Sequence, residues 1–183
     1  MPQRFTASQW VPYPVEMVFA FFANPSNLPH LMPPRLGVRI EDQRILPPPP
    51  RPVSPDPARR FQSIAAGVGS EMRIAFRPFP WFPRRLSWQA RIVEFVWNSH
   101  FTDEQAQGPF NFFRHRHGIA AERRDGVEGT LVADEIEFEA ASGWLGDLGA
   151  VFVRRQLDAS FAHRQQRLPE TMATVALQAA RRG

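Results

Sequence analysis

The chain has no cysteine and a single tyrosine, Tyr13, among its 183 residues, and it has no lysine at all. Without cysteine there is no disulfide framework, no thiolate metal site and no cysteine nucleophile. A reducing setting follows naturally, and a cytoplasmic location is expected. The missing lysine and tyrosine also explain an isoelectric point near 11.0. All 22 basic residues are arginine, so almost nothing loses charge above neutrality and a net charge of only +4 carries the isoelectric point far up. The arginines lie in scattered doublets (Arg59-Arg60, Arg84-Arg85, Arg123-Arg124, Arg154-Arg155, Arg181-Arg182). No dense basic stripe forms, and no nucleic-acid partner is expected. No apolar run approaches the ~18 residues of a membrane span. The opening Met1-Pro2-Gln3-Arg4 lacks the apolar stretch of a signal peptide.

What is present is an ordinary globular balance, 43% apolar and 22% charged. A chain of this length can bury a core without staples, and residues 1–183 are expected to form a single domain. Residues 3 to 11 read as a first strand, which Pro12 and Pro14 end. Val15, Val18, Phe19 and Phe22 then fall at helical spacing. Asn24-Pro25 closes that helix, and a second short helical piece is expected from Ser26 to Leu31. Val38 to Leu46 reads as a second strand. The proline-rich stretch 47–60 cannot sustain a ladder and is expected as a surface loop inserted between strands. Strand grammar returns at 69–79, 86–92, 98–106, 110–122 and 130–139, with Arg124-Asp125-Gly126 marking a hairpin turn. From Gly149 to about Ala180 the period is helical, with Val153, Leu157, Phe161, Arg164 and Leu168 on one stripe. Pro169 is expected to kink or split this helix, and residues 170–183 to form its fraying end.

The element order is therefore strand, two short helices, about six strands and one long helix. A sequential antiparallel sheet is apolar on one face, and one amphipathic helix is available to cover it. The expected class is α+β: a helix-grip fold, a strongly curved antiparallel sheet of six to seven strands wrapped around a long C-terminal helix. Local sequence agrees. FTASQWVPYPVEMVFAFFANPSNLPHLMPP resembles the first strand and helix pair of the SRPBCC/START-like superfamily, which includes START-like lipid carriers, birch-pollen-allergen-like proteins and polyketide cyclases. NSHFTDEQAQGPFNFFRHRHGIAAERRDGVEGTLVADEIEFEAASGWLGDLG is similar to a bacterial cyclase/dehydrase-like, ligand-binding subgroup. Phe113 stands where that pattern commonly has Trp. The resemblance spans about residues 3 to 170 and implies an internal ligand cavity, without fixing a reaction.

Alternation assigns the inward residues. Phe113, His115, His117 and Ile119 share a face, with Arg114 and Arg116 outside. Val132, Asp134, Ile136 and Phe138 share another, with Glu135, Glu137 and Glu139 outside. Asp134 in an apolar row must be paired or protonated. His115 and His117 are its expected partners, and Glu104 or Gln105 could join from the preceding strand. This gives two readings: an acid-base group (Asp134, His115, His117, Glu104) or a structural network linking strands. Two histidines and a carboxylate are also a metal pattern, but no further ligand completes the set, and neither a metal nor a cofactor is expected. No nucleophile elbow, phosphate loop or dinucleotide motif is present. The expected ligand lining is Met72, Phe76, Trp88, Phe101, Phe113, Val132, Ile136, Leu157 and Phe161, together with His115, His117 and Asp134. The expected function is binding of a hydrophobic small molecule (a lipid, isoprenoid or polyketide-like aromatic). The alternatives are a cyclase/dehydratase using Asp134, His115 and His117, and an accessory protein with a small cavity that binds a protein partner. The chain would act as a monomer or homodimer. The aromatic loop 78–85, with Phe79, Trp81 and Phe82, could be a gate, a membrane-touching tip or a self-association patch.

Overall fold

The computed structural model describes residues 2–79, 81–140 and 146–180. Seven strands form one antiparallel sheet: β1 (Gln3–Val11), β2 (Arg39–Arg44), β3 (Glu71–Phe76), β4 (Leu86–Val96), β5 (His100–Gln107), β6 (Phe110–Arg124) and β7 (Val127–Ala140). Their order is β1-β7-β6-β5-β4-β3-β2, a meander from β2 to β7 with β1 added beside β7. Two short helices, α1 (Val15–Phe22) and α2 (Leu28–Leu31), follow β1, and the long helix α3 (Gly146–Ala180) ends the chain. This is the helix-grip arrangement. The helix begins at Gly146, three residues before the Gly149 start expected from the sequence. Among the described residues, no helix is long and apolar enough to cross a membrane.

Local chemistry accounts for the boundaries. Pro14, extended at φ −62° and ψ 147°, stands immediately before α1 and does not enter it. Asn24 caps the next turn by accepting from the Ser26 amide at 3.1 Å. Between β6 and β7, Asp125 and Gly126 both take positive φ, 49° and 80°, while Arg124 pairs with Val127. That is a two-residue turn with the twist a hairpin needs. A bulge between Ile92 and Glu94 shifts the alternation of β4. It brings Phe95 into the core beyond Ile92.

Two apolar clusters fill the concave side. The larger lies under α1 and the end of α3, around Phe19, Val18, Val132, Leu168 and Met172. Phe19 is fully buried and meets Phe95, Trp97 and Phe101 with ring centroids 5.4, 5.5 and 6.1 Å away. The smaller gathers Phe5, Phe113, Ile136, Phe138 and Phe161. The proline-rich stretch 47–60 does connect β2 to β3, as a strap over the β4–β5 turn. Trp97 donates its indole N–H to Pro49 at 2.7 Å, and Arg51 lies 4.3 Å over the same ring.

Pro169 neither splits nor ends α3, which runs unbroken through it. A proline has no N–H for the carbonyl four residues back, here that of Gln165. Gln9 supplies the missing donor: its side-chain amide donates to the Gln165 carbonyl at 2.8 Å. Gln165 donates in return to the Ser8 carbonyl at 3.2 Å. The first strand thus repairs the last helix.

Candidate functional site

The inward-facing polar residues form one connected group. Register explains the meeting: His117 pairs directly with Asp134 on β7, Asp103 on β5 pairs with His115 on β6, and Phe101 pairs with His117. Side chains two apart on a strand share a face, so Asp103, His115, His117 and Asp134 all face α3. On its other side Asp134 pairs with Ala7 of β1, whose small side chain leaves the carboxylate open to the helix.

Arg164 comes down from α3 onto that carboxylate. It belongs to the stripe Phe161, Arg164, Leu168, Met172 that faces the sheet, and all four are buried. Its Nη1 donates to Asp134 Oδ1 at 2.9 Å and its Nη2 donates to Oδ2, a two-pronged contact. The guanidinium plane also lies 4.3 Å from the Phe161 ring and 5.5 Å from Phe22. His115 Nε2 donates to Asp134 Oδ1 at 2.9 Å. His117 Nε2 donates to Asp103 Oδ2 at 3.1 Å. His117 Nδ1 lies 3.2 Å from Asp134 Oδ1, but without hydrogen-bond geometry, and it has no such partner among the described residues. The two imidazoles pack with centroids 3.7 Å apart.

The electrostatics follow from these contacts. Burial alone would raise the Asp134 carboxyl, but the Arg164 charge and the donors on it hold it well below the usual carboxylate range. Asp134 is therefore an anion with no acidic proton to give. Burial, and then the neighbouring His117, push His115 below its ordinary value. Burial also acts to lower His117, yet its contacts with Asp103 and Asp134 outweigh that and hold it above the ordinary value. Adjacent imidazoles are thus driven apart, one toward neutral and one toward charged.

The sequence-named residues divide as follows. Asp134, His115 and His117 come together. Glu104 faces outward and pairs with Arg114 at 3.4 Å. Gln105 closes the turn into β6, donating to and accepting from the Phe110 backbone at 2.8 and 3.2 Å. The members of the group that the sequence reading did not assign to it are Asp103 and Arg164. Arg164 did carry a signal: a cation inside an otherwise apolar helical stripe needs a buried anion, and Asp134 is the inward carboxylate of β7.

The apolar lining residues split across the polar group. Met72, Phe101 and Val132 belong to the larger cluster, and Phe113, Ile136, Leu157 and Phe161 to the smaller. His117 stacks on Phe101 at 4.3 Å, and His115 meets Phe161 at 6.0 Å, so the polar group partitions the interior. Trp88 bridges the clusters. Its ring meets Phe113, Phe110 and Phe76 at 4.4, 5.9 and 6.4 Å. The Trp88 indole N–H is buried and has no acceptor among the described residues. Two concavities, of about 320 and 430 Å³, lie on the outer face, lined by residues such as Thr6, Ser8, Arg116 and Glu135 or Arg73, Ser87, Gln89 and Gln107. Neither is the interior cavity expected from the sequence. In the 78–85 loop, Trp81 is 76% exposed and stacks on Phe79, which rests on Phe152 of α3 at 4.8 Å.

Solved structures share this architecture. A START superfamily protein from Mycobacterium smegmatis aligns with a TM-score of 0.58 at 13% identity, over 94% of this chain and 98% of its own. A point mutant of norcoclaurine synthase from Thalictrum flavum, in complex with a transition-state analogue, aligns at 0.57 and 11%, over 95% and 96%. Ara h 8.0201 aligns at 0.54 and 13%, over 91% and 97%. No protein-family model and no curated protein sequence matches the chain. At these identities the likeness shows the fold, and it agrees with the START-like resemblance read from the sequence.

Proposed function

We propose that the protein is a cytoplasmic, single-domain binder of a hydrophobic small molecule, seated in the aromatic lobe around Trp88 between the sheet and α3. The observation that carries this reading is the Trp88 indole. A buried donor left without an acceptor costs about 1–3 kcal/mol, and here it stands among Phe76, Phe110 and Phe113. A flat apolar ligand bearing a carbonyl or hydroxyl oxygen would satisfy the donor and be walled by the rings. Lipids, isoprenoids and aromatic polyketide-like molecules are the classes that offer both features. The fold supports the reading, since a START superfamily protein and norcoclaurine synthase share it. Binding is favoured over proton transfer because Asp134 is locked as an anion by Arg164.

Native mass spectrometry of freshly purified protein, followed by solvent extraction, tests the proposal. The expected result is a co-purified hydrophobic molecule, or saturable uptake of aromatic and fatty-acid probes that Trp88→Phe weakens by about tenfold, in line with one lost buried hydrogen bond. Protein that is ligand-free and takes up none of the probes would overturn it.

A further inference from the structure

We propose that Asp103, His115 and His117 form a binding site for a divalent transition-metal ion, presented by Asp134 and Arg164. This goes beyond hydrophobic binding and does not depend on it.

In the sequence, His115, His117 and one carboxylate, Asp134, make a metal pattern with no further ligand, and Glu104 is a residue that could join from the preceding strand. The fold replaces Glu104, turned outward, with Asp103, turned inward. Donor atoms of Asp103, His115 and His117 all lie within 4.8 Å of one another. An ion about 2.0–2.2 Å from each donor would draw them to roughly 3–3.5 Å apart. That adjustment is within reach of side-chain rotation, and Asp103 Oδ2 and His117 Nε2 are already at 3.1 Å. The three side chains keep 15, 14 and 14% of their surface accessible, while that of Asp134 keeps none. An ion would meet the first three and not the fourth.

Asp134 has a different place in such a site. Metal-bound histidines generally donate their second ring N–H to a carboxylate, which fixes tautomer and ring direction. His115 Nε2–H already donates to Asp134 Oδ1, so its lone pair sits on Nδ1. His117 Nδ1 is 3.2 Å from the same oxygen and otherwise unpartnered. Were Nε2 bound to an ion, the His117 proton would sit on Nδ1, facing Asp134. One carboxylate, itself clamped by Arg164, thus braces both imidazoles. A purely structural network has no need to leave a buried ring nitrogen aimed at that carboxylate without a hydrogen bond.

The donor set selects the ion. Two imidazole nitrogens and one carboxylate oxygen suit Zn²⁺, Co²⁺, Ni²⁺ or Fe²⁺, whereas Mg²⁺ and Ca²⁺ favour all-oxygen shells. Three protein ligands would leave a further position for water or an oxygen of a bound molecule.

The test uses chelator-stripped full-length protein titrated with Zn²⁺ and, in parallel, Co²⁺. Calorimetry should give one ion per chain. Imidazole nitrogen NMR on the unmodified protein should show shifts at His115 and His117, with His30, His100 and His163 unmoved. Asp103→Asn and His117→Gln should each weaken binding tenfold or more, while His30→Gln should leave it unchanged. Absence of saturable binding, or shifts confined to other histidines, would overturn the proposal. So would equal affinity in the folded Asp103 and His117 variants. If those variants fail to fold, the NMR titration of the natural sequence decides alone.

Discussion

Arg164→Met is the most informative single change. It keeps the bulk of the side chain on α3 and removes the two N–H donors that clamp Asp134. The carboxylate would then be buried with His115 as its remaining hydrogen-bond donor. Removing one partner of a buried pair typically costs about 3–5 kcal/mol, because a charge is left uncompensated. At about 2–4 °C per kcal/mol for a chain of this size, the midpoint should fall by roughly 6–20 °C. Urea unfolding in the presence of chelator, monitored by tryptophan fluorescence, reads the change as a shifted midpoint with unchanged slope. The companion is the double variant Asp134→Leu/Arg164→Met, in which no buried charge is stranded. It should recover about 2 kcal/mol or more of the loss, while still short of wild type because His115 loses its acceptor. An Arg164→Met protein within about 1 kcal/mol of wild type, or a double variant no better than the single, would refute the view that this contact organises the interior.

Three further outcomes are expected. Phe19→Ala opens a hole where three aromatic rings meet and should cost about 3–5 kcal/mol by urea unfolding. Gln9→Ala strips the donor from the Gln165 carbonyl and should cost about 1 kcal/mol; adding Pro169→Ala, which gives the helix its own N–H, should cancel most of that loss. The histidines make opposite contributions with pH. His115, lowered in the fold, stays neutral while the unfolded imidazole gains a proton, so its term destabilises as pH falls through the ordinary histidine range near ~6.5. His117, raised in the fold, stabilises below that range and loses its contribution as pH rises through its folded value. In His115→Gln only the second of these histidine contributions remains. Between about pH 5.5 and 8, above the range in which lowered carboxylates such as Asp134 titrate, the urea midpoint should decline as pH rises. A midpoint that instead rises with pH would show the assignment to be wrong.

The strand and helix order was legible because the periodicities are strong and the turns carry specific chemistry, such as Asp125-Gly126. The inward rows of β6 and β7 were legible because the pair His115 and His117 is flanked in two-residue steps by Phe113 and Ile119, and Asp134 by Val132 and Ile136. β5 was different. Phe101, read as lining, puts Asp103 on the inward parity two residues on, but the polar run Asp103, Glu104, Gln105 carries no second apolar mark, and the pairing of Asp103 with His115 settles it. The bulge after Ile92 was hidden for a similar reason, since a continuous apolar run around Phe95 carries either register. Arg164 stood in plain view, but its meeting with Asp134 joins a helix to a strand 30 positions away. Pro169 does not split the helix, because its remedy, Gln9, comes from the opposite end of the chain where no local pattern shows it.

That remedy bears on how the molecule comes into being. Six strands, β2 to β7, can zip in the order of synthesis, each beside the one before. β1 has no such neighbour: its place is against β7, and its Gln9 finishes a helix made later still. At roughly 5–20 residues per second, the β1 segment waits several seconds or more on the ribosome before Val127 exists to meet it. During that wait its alternating apolar face and the Phe-rich α1 have nowhere to go. The chain's first residues are the last to be secured, and a nascent chain stalled before β7 would present them to chaperones.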